Sequence, residues 1–216
     1  MTAYERPPTA QEAVLAELRR AIAGGRLRPG QQVLQDALAE QLGVSRVPLR
    51  EALKILEGEG AVVYQPRRGY FVAELSLADL EEVYRIRDLL ETEAVRVAVP
   101  RLGRADLAAL EAHAQECARA GAAADLEAMT EANRRLHFDL IEASRMPRLA
   151  RLARILWDAT DVYRTVYYSE GLNRARVDDE HAAIVEAARA GDAERCAELL
   201  RAHREHAVQA LRALLA

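Results

Sequence analysis

Three histidines and one asparagine carry the first chemical signal. A helix turns ~100° per residue, so the face each side chain takes follows from its number. On a helix read over 122–143, Asn133 and His137 are four apart and share the apolar arc of Leu126, Met129, Leu136 and Leu140. On a helix over 174–190, His181 sits with Val177, Ile184 and Ala188; on one over 192–214, His203 sits with Leu199, Leu200, Leu211 and Leu214. His113 and His206 fall toward the edges of their arcs. A lone inward histidine is most often a core residue with a hydrogen-bond partner. Three from three helices, one in an Asn-x-x-x-His pair, leave three readings open. They are a divalent metal held by neutral imidazoles, a polar ligand pocket, or a structural hydrogen-bond network.

A helix over 77–99 adds charge to this interior. Arg87 and Glu91 lie on its apolar stripe with Leu80, Val83, Leu90 and Ala94. Unpaired charge there is expensive. The pair is either an internal ion pair or an arginine presented to an anionic ligand, with Glu91 fixing its orientation. On a helix over 147–169, Thr160, Tyr163 and Tyr167 face inward with Leu149 and Leu156. Core packing is the plain account of the two tyrosines, but their hydroxyls need partners, and a ligand or metal-bound water could supply one.

A second set of residues points to nucleic acid. Gly43-Val44-Ser45-Arg46-Val47-Pro48-Leu49-Arg50-Glu51-Ala52-Leu53 reads as a tight turn feeding a basic helix, after a short amphipathic helix over Leu34–Leu42. Gly43 ends the first helix, Ser45 caps the second, and Pro48 lies in the first turn, where a missing N–H costs little. Two such helices form a helix-turn-helix, in which Arg46 and Arg50 can reach phosphates or a guanine edge. A plain helical hairpin with solvated arginines is the alternative. The next residues favour DNA: Ala61–Tyr64 and Tyr70–Val72 read as a hairpin with Arg67 and Arg68 at its tip, a wing.

The elements that must position these residues follow. Thr9 and Glu12 make a capping box for a helix running to Gly24-Gly25. Beyond Ser76 no strand signal appears, and six helices are expected, with breaks at Pro100–Gly103, Gly121, Met146-Pro147, Gly171 and Gly191-Asp192. The predicted fold is mainly α: an N-terminal winged helix-turn-helix over 1–75 and a C-terminal all-α antiparallel helical bundle over 76–216. A short linker falls near Ala73 to Leu77. Net charge is -4, yet residues 1–75 hold ten Lys+Arg against nine Asp+Glu, net +1, so the acidic sign comes from the second half. A mildly acidic total leaves room for a basic DNA face. Cys117 and Cys196 are far apart on apolar helical stretches and read as core residues. No apolar run approaches ~20 residues, and MTAYERPPTA has no signal-peptide core, so no membrane and a cytoplasmic location are expected.

Assembled, these residues resemble the GntR family of transcriptional regulators, in its FadR branch with an all-helical FCD effector domain. The likeness runs over about residues 10–212. It is carried by Ile22…Gly25-x-Leu27-x-Pro29-Gly30, Leu38-Ala39-x-x-Leu42-Gly43-Val44-Ser45-Arg46-x-Pro48-x-Arg50-Glu51-Ala52-Leu53, Leu56-x-x-x-Gly60 and Arg68-Gly69-x-x-Val72. In the second half it rests on Arg87-x-x-x-Glu91, Asn133-x-x-x-His137-Phe138, Glu180-His181 and His203. A count of six helices suggests the VanR-type subgroup. The resemblance implies a homodimer on a short pseudo-palindromic stretch of double-stranded operator DNA, acting as a repressor. Ser45, Arg46, Val47 and Arg50 would make the helix contacts, and Arg67, Arg68 and Gly69 the wing contacts. Asn133, His137, His181 and His203 would hold a divalent metal, zinc first, with nickel or manganese as alternatives. A small organic acid effector would bind beside it, at Arg87, Glu91, Thr160 and Tyr163.

Three positions depart from the family pattern. Asp36 stands where many relatives have Arg, so a phosphate contact should be lost. Val47 replaces a common Thr, exchanging a hydroxyl contact for an apolar one, such as to a thymine methyl. Asn133 in place of Asp leaves a ligand set without charge, which should weaken metal affinity. Two other functions compete: a helical metalloenzyme acting on a small acid, and a metal- or ligand-binding module without DNA recognition. Against an enzyme, there is no H-E-x-x-H and no Ser or Cys nucleophile paired with these histidines.

Overall fold

The computed structural model describes residues 7–74 and 76–215. The signal-peptide reading of the N-terminus falls partly, and Leu75 of the linker wholly, outside them. The chain divides into two compact units, Met1–Leu75 and Ser76–Ala216.

The first unit is built from α1 (Ala10–Ala23), α2 (Gln35–Leu42), α3 (Arg46–Gly58), β1 (Val62–Gln65) and β2 (Gly69–Val72). Thr9 and Glu12 form the capping box of α1. Gly43 ends α2 in the left-handed region, at φ 64°, where glycine carries no Cβ penalty. Ser45 occupies the N-cap of α3 without a side-chain cap bond, so its hydroxyl is left for other partners. Leu18 of α1, Leu49, Leu53 and Leu56 of α3, and Val62 of β1 are buried core residues. The strands pair antiparallel, Val62 with Val72 through Gln65 with Gly69. A bridge from Gln32 to Phe71, unforeseen in the sequence, ties the segment before α2 to the wing.

The second unit holds α4 (Leu77–Ala98), a 3-10 turn (Val99–Arg101), α5 (Arg104–Ala122), α6 (Leu126–Ala143), α7 (Pro147–Ala159), α8 (Asp161–Ser169), α9 (Gly171–Arg189) and α10 (Ala193–Leu215). Ser76, Asp125 and Asp192 cap α4, α6 and α10 by accepting from the backbone N–H three residues on. The pairs α5·α6, α4·α10 and α5·α9 make the main packing. One apolar cluster joins Val95, Leu110, Leu136, Leu140, Ile184, Cys196 and Leu200. A second joins Phe138, Ile141, Leu149, Ala153 and Trp157. Both cysteines are buried, with thiol pKa values pushed up to about 12 by burial.

One expected helix is two. The segment 147–169 breaks at Thr160, whose φ of -110° and ψ of 6° leave the helical region. Its Oγ1 lies 3.2 Å from the Leu156 carbonyl and 3.1 Å from that of Trp157, satisfying acceptors that a continuous helix would use. Seven α-helices among the described residues replace the expected six, and the subgroup expectation that rested on that count loses its support.

Candidate functional site

The bundle brings His137 of α6, His181 of α9 and His203 of α10 together. One ligating nitrogen from each lies within 4.8 Å of the others, and all three side chains are buried. The ring centroids are 5.7, 5.2 and 5.1 Å apart pairwise. Among the described residues, His137 Nε2, both nitrogens of His181 and Asn133 Oδ1 are buried without a hydrogen-bond partner. Each orphaned polar atom costs roughly 1–3 kcal/mol; one ion can meet His137 Nε2, Asn133 Oδ1 and a single His181 nitrogen, the two nitrogens of that ring pointing apart. Burial, then the nearby His203, His181, Arg87 and Arg204, pushes the His137 pKa well below its usual value; burial and His203 do the same for His181. Both rings are therefore neutral at neutral pH, with lone pairs available. The donor set fits a divalent metal: three imidazoles and an amide oxygen.

Glu180 completes the set. Its Oε2 lies 2.6 Å from His203 Nδ1, and its Oε1 lies 2.6 Å from His206 Nδ1. The bond to Nδ1 leaves Nε2 as the His203 nitrogen able to ligate, the carboxylate–histidine arrangement common behind metal ligands. Burial would raise the Glu180 pKa, but the bonds from His203 and His206 hold it below the usual carboxylate range.

Beside the histidines lies a cavity of about 20 Å³, lined by Tyr84, Arg87, Asn133, His137, Trp157, Arg164, Tyr167, Tyr168, His203, Arg204 and Ala207. Three arginines and no acid form this lining. Arg87 Nε donates to Glu91 Oε1 at 2.7 Å, and its guanidinium stacks on Trp157 at 4.0 Å and Tyr84 at 4.7 Å. Glu91 also accepts from Trp157 Nε1 at 2.8 Å and Arg204 NH1 at 3.1 Å. Burial pushes its carboxyl up, but Arg87 and Arg204 prevail and keep it ionised. Arg164 pairs with Asp161 and stacks on Trp157 at 4.1 Å. Tyr167 OH, Arg164 Nε and Arg204 Nε are further buried atoms without partners.

The effector residues read from the sequence divide. Arg87 lines the cavity, Glu91 lies behind it, and Thr160 accepts from Arg87 NH1 at 3.4 Å without lining it. Tyr163 does not reach it. Its hydroxyl accepts from Ser76 N at 2.8 Å and donates to Ser76 O at 3.0 Å, because the break at Thr160 turns α8 toward the start of α4. Tyr167 and Tyr168 take the place expected for Tyr163. Arg164, Arg204, Trp157 and Glu180 went unrecognised as site residues, since a helical wheel gives the face of a side chain but not its partners on other helices.

In the first unit, Arg46, Arg50 and Lys54 follow one another at one-turn spacing along α3. With Arg67, Arg68 and Gly69 of the wing they line a single broad concavity of about 780 Å³. Lys54 was missed as a member of this face. Val47 is exposed and free to touch a partner. In the wing turn, Arg68 N donates to Gln65 O, and Arg67 takes φ 66°, the position of a type II turn that favours glycine. Asp36 is paired: its Oδ1 lies 2.7 Å from Arg46 Nε, and both side chains are well exposed. An exposed pair is worth about 0–1 kcal/mol, so Arg46 can leave it for a phosphate at small cost. The expected repulsion is thus partly cancelled within the protein.

Comparison with known proteins agrees with both units. Residues 10–72 match the family described as bacterial regulatory proteins, gntR family, and residues 82–206 match the FCD domain. The HTH-type transcriptional regulator YdhC of Bacillus subtilis (strain 168) is 28% identical over 201 residues, 92% of this chain and 89% of that protein. The solved structure of E. coli McbR/YncC superposes with a TM-score of 0.86 at 28% identity, covering 97% of this chain and all of that one. The gluconate operon transcriptional repressor of Bacillus licheniformis is 37% identical over 94 residues, 44% of this chain and 37% of that protein. The chain belongs to the GntR family, with a helix-turn-helix domain followed by an FCD domain. The family and these relatives are transcriptional regulators, not enzymes. Among the described residues, no helix is long and apolar enough to cross a membrane.

Proposed function

We propose that this regulator is a cytoplasmic repressor that binds a short pseudo-palindromic operator as a homodimer and answers to a small organic acid held beside a divalent metal. The observation that carries the metal is the convergence of orphaned donors on Asn133, His137 and His181, with His203 oriented by Glu180. Zinc suits three imidazoles and one carbonyl oxygen; nickel or manganese are alternatives. When bound, the metal supplies a positive centre that an anion can ligate. None of its four ligands is charged, and Arg87, Arg164 and Arg204 add positive charge around the cavity. The arginines would hold and orient a carboxylate by charge-assisted hydrogen bonds. Glu91 fixes Arg87 in place and also pairs with Arg204. A cavity of about 20 Å³ has room for roughly one water, so effector binding must move the lining. Arg164 and Tyr167 of α8 and Arg87 of α4 are the side chains that would report that movement to the helix following the DNA-binding unit. Repression is supported by the gluconate operon relative, and DNA contact by the basic concavity of α3 and the wing.

A thermal-shift screen of small organic acids against their neutral amides tests this reading. Acids, not amides, should stabilise the zinc-loaded protein, lose their effect in chelator or in Arg87→Ala, and change operator affinity. Stabilisation by neutral compounds alone, or by acids regardless of zinc, would reject it.

A further inference from the structure

Two hollows of the second unit share a wall. The inner one is the small cavity beside the histidines. The outer one is a groove of about 380 Å³ between α4 and α10, whose lining includes Glu81, Asp88, Arg201 and Val208. Tyr84 and Arg204 line both. His181 is 0% exposed, so an ion or acid reaching it must pass a side chain that moves.

Arg204 is suited to move. Its guanidinium is held mainly by charge: NH2 donates to Asp88 and, at 3.4 Å, to Thr92, while NH1 donates to Glu91. Asp88 stands on the groove side, where Arg201 also holds it at 3.3 Å. A long arginine stem can rotate outward, and the groove offers acids to receive its charge. Tyr84, the other shared residue, carries the Arg87 guanidinium on its ring face and has less freedom.

We propose that Arg204 is the gate of the site, latched by Asp88, and that the outer groove is the route by which a divalent ion and a small carboxylate reach the histidines. The inference rests on the metal reading above. It assigns Asp88, Arg204 and Val208 a kinetic role distinct from ligation.

Zinc alone is a sufficient probe. Trp157 is the only tryptophan of the chain, and its ring lies 4.9 Å from that of His137, so its fluorescence reads zinc arrival in stopped flow. Release is read by transfer to excess chelator. Asp88→Asn should speed both uptake and release about tenfold, the effect of removing roughly 1.4 kcal/mol from the gate. Val208→Phe, which narrows the groove from outside the inner cavity and adds no second tryptophan, should slow both, again by about tenfold. Opposite shifts in the two variants support the gate. Unchanged rates in both, or acceleration in both as from a loosened fold, overturn it while leaving the metal site standing. A wild-type protein that binds no zinc overturns the metal reading and the gate together.

Discussion

Replacing Glu180 with glutamine isolates the electrostatic support of the metal centre. The carboxylate takes one N–H from His203 and one from His206, each at 2.6 Å, from a half-buried position. Accepting from Nδ1, it fixes the tautomer that directs His203 Nε2 inward. Glutamine keeps the shape, loses the charge, and can accept only through one atom. Outer partners of ligating histidines are typically worth 10–100-fold in metal affinity, so Glu180→Gln should weaken zinc binding by about 1.4–2.7 kcal/mol. The assay is a competition titration against a chromophoric zinc chelator at pH 7.5, with circular dichroism confirming the fold. His206→Ala is the control. It frees the other carboxylate oxygen but leaves the His203 bond, and should change affinity by no more than about threefold, as for a partly exposed pair. Wild-type affinity in Glu180→Gln, or equal losses in both variants, would refute the assigned role of Glu180.

Other outcomes follow from the same geometry. Arg50→Ala should reduce operator affinity by about 1–3 kcal/mol, with steep weakening by salt, measured by fluorescence anisotropy; unchanged affinity in both Arg46→Ala and Arg50→Ala would remove α3 from the DNA face. Metal-free protein should lose stability as pH falls. His137 and His181 stay neutral when folded well below the usual histidine value, chiefly through burial, while unfolded histidines protonate near ~6.5. Below that pH the unfolded chain binds more protons, and stability should drop by about 1.4 kcal/mol per pH unit for each ring. Urea titrations at pH 7.5 and 5.5 check this, and equal stabilities would contradict it. Glu91→Gln should cost about 3–5 kcal/mol in urea denaturation, because it strips a buried carboxylate from Arg87 and Arg204; a loss under about 1 kcal/mol would show the ion network to be dispensable.

Much of this was legible because helical periodicity alone fixes which face a residue takes. Asn133, His137, His181 and His203 share apolar arcs with leucines and valines, so their burial follows from numbering, and Gly43, Ser45 and Pro48 punctuate the DNA-binding helices. The misses are side-chain partnerships, some between distant segments and some within one or two turns. Arg204 shares the arc of Leu200 and Leu211, and Arg164 that of Ala153 and Trp157, but periodicity does not name Asp161, Asp88 and Glu91, the acids that hold them inside. Thr160 ends a helix through its own hydroxyl, with neither glycine nor proline to mark the break, and that break carries Tyr163 away from the cavity, while Tyr167 stays inward as expected. Glu180 sits beside a recognised histidine, but its partners lie on another helix. Lys54 continues the spacing of Arg46 and Arg50 and could have been found by extending it one turn.

The most direct measurement is the metal content of protein purified without chelator, by elemental analysis, for wild type and His181→Ala. One divalent ion per chain in wild type and none in the variant is the expected result. If neither protein contains metal, and added zinc leaves the wild-type melting temperature unchanged, the four converging side chains do not form a metal centre.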